Sequence, residues 1–245
     1  MFAHPSRADL DNWAALGNPD WSFDSLAPFF RKFETYHPPS ASTAEAYAAT
    51  KLDPALRGTD GPIHVSYCDS DVAWIASIWP ETCTNAGLPP ARDPRSGSAV
   101  GGFNQLTMSD PETKTRSYSA SAFLWPNRDR PNLTVLTGAV VKAITWEKRE
   151  GQLPRASGAQ FEVSGREYTV TASRDVILSC GAIKSPQVLE LSGVGSRELL
   201  QRHGIEVVVD NPYVGENLHD HVLYGPGWVS LRFSYLPTTS MHPID

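Results

Sequence analysis

Asp175-Val-Ile-Leu-Ser-Cys-Gly-Ala-Ile-Lys-Ser-Pro-Gln-Val-Leu-Glu-Leu-Ser-Gly-Val-Gly195 reads as a strand, a tight corner and a helix. Val176 to Cys180 is a short apolar run ending at Gly181, the pattern of a strand covered on both faces. Ser185 is placed to cap the following helix and Pro186 suits its first position, where φ is already set and a missing N–H costs nothing. Val188, Leu189 and Leu191 give that helix an apolar side, and Gly193 and Gly195 end it. In open α/β folds ligands sit beyond the carboxyl ends of strands, and a small Cys-Gly-Ala corner lets a ligand approach the backbone. The same pattern also fits an ordinary βα corner with no ligand.

Outward from this segment, the chain alternates helix and strand signals. Asp9 or Asp11 is placed to cap a short helix carrying Trp13 and Leu16, stopped by Gly17. Ser22 or Asp24 is placed to cap a second, bearing Leu26, Phe29, Phe30 and Phe33. Residues 38–62, rich in Pro, Ser, Ala and Thr, read as a loop or a variable insertion. Ile63 to Tyr67 alternates as a strand, with His64 on its polar side as a solvated or hydrogen-bonded side chain. A helix is expected over Val72–Ala86, with Ile75, Ile78 and Trp79 on one side and a kink at Pro80. Ser117 or Ser119 begins another. Leu133–Leu136, Val140–Trp146, Phe161–Val163 and Glu167–Ser173 follow as strands of a meander, with polar 148–157 as a loop. A further helix with Leu199 and Leu200 ends at Gly204, and Ile205–Val209 is extended.

Composition limits the possible functions. The 245 residues include 21 basic and 27 acidic ones, for a net charge of −6. No basic run is present to neutralise phosphates, so a nucleic-acid partner is not expected. No apolar run approaches the ~18 residues of a membrane span, and the first residues lack the basic-then-apolar design of a signal peptide. Cys68, Cys83 and Cys180 lack metal-like spacing and read as free thiols, with Cys180 buried in its strand; a Cys68–Cys83 disulfide is the alternative. Asn132-Leu133-Thr134 fits a glycosylation sequon but leads into an expected strand. His219, Asp220 and His221 would need further ligands to chelate zinc, so no metal site is expected. Without a Gly-x-Ser-x-Gly elbow a serine hydrolase is not indicated.

Gly181 to Gly195 resembles the second signature of the glucose-methanol-choline (GMC) flavoprotein oxidoreductases over fifteen consecutive positions, with Gly, Ser-Pro and Ser-Gly-x-Gly in register. Other segments resemble the family in the same order. They are Arg7–Trp13, Leu16–Pro19, Trp21–Asp24 and Pro28–Glu34, then Arg116-Ser-Tyr-Ser-Ala-Ser-Ala122-Phe-Leu, Thr137–Val141, and Val214-Gly-x-Asn-Leu-x-Asp-His221. The resemblance implies an α/β (α+β) fold: a partial FAD-binding, Rossmann-like domain with a β-meander, plus part of an antiparallel-sheet substrate domain. It implies a flavin lid and linking helix at 1–36, part of the substrate domain at 37–130, part of the FAD-binding domain at 131–221, and a further substrate-domain segment from 222 to 245. It also implies FAD as cofactor, held through the backbone near Val141 and through Ser179, Cys180, Gly181 and Pro186, with a small-molecule alcohol as substrate.

A Gly-x-Gly-x-x-Gly phosphate turn normally follows a first strand. Gly193-Val-Gly-Ser-Arg-Glu198 only mimics it, since it ends a helix and carries Glu at the third glycine position. In the family the phosphate loop precedes the position of Met1 and the catalytic His follows that of Asp245. No residue here is therefore expected to be the catalytic base, and the chain is expected to be inactive alone. A non-redox member keeping the fold as a cyclase or scaffold, and a truncated gene, are the alternatives.

Overall fold

The computed structural model describes residues 4–47, 52–67, 73–89, 93–147 and 150–220, in two compact units, 1–134 and 135–245.

The first unit opens with α1 (Arg7–Ala15), capped by a reciprocal box. The Ser6 hydroxyl accepts from the Asp9 N–H at 3.1 Å, and Asp9 Oδ2 accepts from the Ser6 N–H at 3.1 Å. Asp9 is thus the third residue of the helix and not its cap, and Asp11 instead accepts from the Phe23 N–H at 3.0 Å. Gly17 ends the turn at φ +100°, open only to glycine without strain. Ser22 caps α2 (Phe23–Phe33) as its position indicated, and Arg7 forks onto Asp24 with two 2.9 Å bonds between α1 and α2.

β1 (Glu34–Tyr36) pairs in parallel with β2 (Ile63–Val65), Glu34 opposite Ile63. Between them the described residues are not only loop. They form α3 (Ala41–Ala46) and a 3₁₀ turn at Pro54–Leu56, then pack Arg57, Gly58 and Gly61 against β1. A Cβ at Gly58 would collide with the carbonyl oxygens of Arg31 and Glu34, so this backbone approach requires glycine. Ile63, Val65, Tyr67 and Leu106 form the buried core. α4 (Ala73–Asn85) runs through Pro80 and buries Cys83, while Ile78 and Trp79 stay half-exposed. The expected helix after Arg116 is a π-helical turn at Ala120–Leu124 followed by a 3₁₀ turn.

The second unit is built on the meander β3 (Val140–Glu147), β4 (Arg155–Val163) and β5 (Arg166–Thr171), all antiparallel. Ser164 and Gly165, both at positive φ, make the two-residue β4–β5 turn whose twist suits paired strands. α5 (Gly181–Leu191) follows, then β6 (Val194–Gly195), α6 (Arg197–Arg202) and β7 (Val209–Asp210) parallel to β6.

Three expectations change. Leu133–Leu136 and Val176–Ser179 are not strands, and Ile177 is 86% exposed. A strand exists only through hydrogen bonds to a neighbour, and among the described residues none lies alongside either run. Cys180 is consequently exposed and not buried. The helix also starts one turn earlier than Ser185. Gly181 at φ +87° makes the corner, Pro186 falls inside the helix, and the Ser185 hydroxyl accepts from the Cys180 N–H at 3.1 Å.

Candidate functional site

The residues singled out for a cofactor all belong to the second unit. Val141 lies near the start of β3, opposite Phe161, and is 41% exposed. The pairing is irregular immediately after it, between Val141 and Ala143, and Lys142 there reaches Glu162 at 2.9 Å. Ser179 and Cys180 are exposed, and Cys180 occupies the cap position of α5 without a side-chain bond to the helix. The space where a Gly181 side chain would project is empty to 4 Å. The corner therefore presents backbone at the start of an eleven-residue helix, the positive end of its dipole. Pro186 contributes to a different feature, an open cavity of about 420 Å³ between α5 and the 215–218 turn that also involves Lys184, Glu190 and Leu218.

The far end of α5 is fixed to the meander through one residue. The buried Ser192 hydroxyl accepts from the Ile144 N–H at 2.7 Å and donates to the Val188 carbonyl at 2.5 Å, and its own carbonyl accepts from the Trp146 indole at 2.7 Å. Gly193, at φ +84°, then turns the chain into β6. The Ser-Gly pair that ends the helix in sequence is thus also the clamp that orients the helix on β3.

Gly193 to Glu198 runs from a helix end through β6 into α6, and Asp210 receives the Arg197 N–H and Nε at 3.0 and 2.9 Å. His219 is exposed, and among the described residues no group of three His, Cys, Asp or Glu is arranged for a metal. His221 and Cys68 lie outside the described residues.

The first unit holds what the sequence did not announce, a buried cluster of four charges. Glu34 is fully buried and meets Arg95 at 2.5 Å, while Arg57 pairs with Asp93, every side chain being 4% exposed or less. Asp93 also accepts the N–H of Arg95 and of Asp53, each at 2.9 Å. His4 sits against this cluster, and burial together with the nearby Arg95 and Arg57 charges pushes its pKa down to about 3. The only sequence signal was Asp93-Pro94, a turn start whose carboxylate was bound to find donors. His64 is half-buried and hydrogen-bonded, as its place on β2 suggested: its Nδ1 lies 2.8 Å from His37 Nε2.

Mixed helix and strand with an antiparallel meander place the chain in the α/β (α+β) class. A family model described as GMC oxidoreductase matches residues 1–223. A dehydrogenase of Armillaria gallica is 40% identical over 90% of this chain and 35% of its own length, and patulin synthase of Penicillium expansum is 32% identical over 93% of this chain and 36% of its own. An FAD-dependent oxidoreductase from Chaetomium thermophilum superposes with a TM-score of 0.77 at 34% identity, covering 86% of this chain and 35% of that one. The chain belongs to the GMC oxidoreductases, a family of FAD-dependent enzymes. It spans about a third of the length of these relatives. No described helix is long and apolar enough to cross a membrane.

Proposed function

We propose that this chain is the central part of an FAD-dependent oxidoreductase that oxidises a CH–OH group of a small-molecule alcohol. The observation that supports this most directly is the family match over residues 1–223. In this reading residues 1–36 form the flavin lid and linking helix, 37–130 part of the substrate domain and 131–221 part of the FAD-binding domain; the segment 222–245 lies outside the described residues.

Val141 and the Ser179-Cys180-Gly181 corner would hold the adenosine end of FAD, with Pro186 as a further cofactor-binding residue. Their exposure fits that role: Val141 and Cys180 are solvent-accessible, and Gly181 leaves room for a ligand against the backbone. Bound flavin would supply the hydride acceptor that no amino-acid side chain provides. The residues of this chain bind and orient. Ser192 keeps α5 on β3, so Gly181 and Val141 keep a fixed relation within one unit. No residue here is assigned as the base.

The chain by itself is expected to bind little FAD and oxidise no alcohol, because its sequence contains no Gly-x-Gly-x-x-Gly turn to receive the pyrophosphate. The test is to purify the 245-residue chain beside a polypeptide extended at both ends and record visible absorbance and alcohol turnover. A colourless short chain beside a yellow, active long one supports the reading. A yellow short chain that turns over a primary alcohol overturns the division of labour, and a colourless, inactive long one overturns the function.

A further inference from the structure

Asn132-Leu133-Thr134 is the one Asn-x-Ser/Thr triplet among the eight asparagines of the 245 residues. What counted against it in the sequence was the strand expected to follow at once. That strand is not formed, and every residue from Arg128 to Thr134 is exposed.

Local chemistry explains the exposure. The Arg130 N–H donates to the Asn127 carbonyl at 3.1 Å, and the Leu133 N–H donates to the Arg130 carbonyl at 3.1 Å, so two four-residue turns follow one another. The second is Arg130-Pro131-Asn132-Leu133. Proline suits the second position of such a turn because its φ is already set, and asparagine is a favoured turn residue. Asn132 therefore sits at a turn corner, on the surface. Asn127, in the first turn, is placed differently: it is partly buried, and its carboxamide donates to the Phe123 carbonyl at 2.8 Å.

An acceptor for an N-linked glycan needs a carboxamide nitrogen, a hydroxyl two residues further on and no proline between them. Asn132, Thr134 and Leu133 meet those conditions. The folded protein must also leave the attached sugar in water, because at a buried position its hydroxyls would lose their hydration. The exposed turn meets that condition as well.

We propose that Asn132 is a glycosylation site that accepts an oligosaccharide from a polyprenyl diphosphate. The carboxamide nitrogen bonds to the anomeric carbon of the first sugar, and the bond from that carbon to the diphosphate oxygen breaks. The polyprenyl diphosphate leaves with the electron pair, and one amide N–H proton is released. Nothing is oxidised or reduced, and no flavin takes part.

The 245-residue chain is translated behind a cleavable secretion leader in the presence of microsomes, and the membrane-protected product is analysed by mass. It is expected to carry one glycan, which peptide-N-glycosidase removes without prior denaturation, leaving Asp at position 132. Asn132→Gln and Thr134→Ala should abolish the modification, and Thr134→Ser should keep it. The sugar is added during translocation, so a variant that fails to fold afterwards still gives an answer. A protected wild-type chain without glycan, a glycan that survives Asn132→Gln, or one that the glycosidase reaches only after denaturation would overturn the proposal. The readout is a mass on the polypeptide, so its failure is separate from failure of the oxidoreductase reading.

Discussion

The two units are stabilised in opposite ways. In the first, four charges are buried together beside an apolar core, and each is matched: Glu34 with Arg95, Arg57 with Asp93. In the second, Ile144, Val188 and Leu200 are the buried hydrophobic residues among those described, while Val140, Val141, Tyr168, Val170, Ile177, Ile183 and Leu191 lie open. A matched buried ion cluster adds little net stability but penalises any change that leaves one charge alone. A thin apolar contact with exposed neighbours tolerates surface substitutions and depends on a few anchoring bonds. The first unit should therefore be brittle to charge and acid, and the second sensitive at Ser192 and indifferent at Ile177.

The largest expected effect is Asp93→Ala. It leaves Arg57 buried without its partner and removes the acceptor for two backbone N–H groups, so unfolding by urea should show a loss of about 3–5 kcal/mol. A loss below 1 kcal/mol would mean that the cluster is hydrated and the contrast between the units is false.

Acid should act next. His4 is neutral when folded, its pKa lowered from 6.5 to about 3. The unfolded chain binds the extra proton once pH falls below about 6.5, so the contribution is complete above that value. It is lost progressively between about 6.5 and 3, at up to ~1.4 kcal/mol per pH unit. Stability measured across this range should decline less steeply in His4→Gln than in wild type. Parallel curves would place the acid sensitivity elsewhere.

In the second unit, Ser192→Ala leaves the Ile144 N–H without its acceptor, and a loss of about 1–3 kcal/mol is expected. Hydrogen exchange at Ile144 and Trp146 should accelerate with it, whereas exchange in β2 should not. The smallest effect is Ile177→Asp. At 86% exposure it should change stability of this chain by no more than about 0.5 kcal/mol. A loss of several kcal/mol would show that Ile177 is covered and that Val176–Ser179 does form a central strand.

Local chemistry was legible in the sequence wherever one residue or a short spacing decides the outcome. Ser22 as a cap, the stops at Gly17, Gly193 and Gly204, and the meander through β3, β4 and β5 were all readable, because capping, positive φ and alternation act within a few residues. The run of motifs from Arg7 to His221 carried the family for the same reason. Tertiary structure alone decided what depends on partners distant in sequence. Val176–Ser179 has every mark of a buried strand, yet strand formation is a property of pairs, and no described neighbour supplies the second half. Glu34 and Arg95 lie 61 positions apart and Arg57 and Asp93 36, and nothing local indicates that they meet. Burial itself made them meet, because charges enter an interior only when the fold brings each its counter-charge.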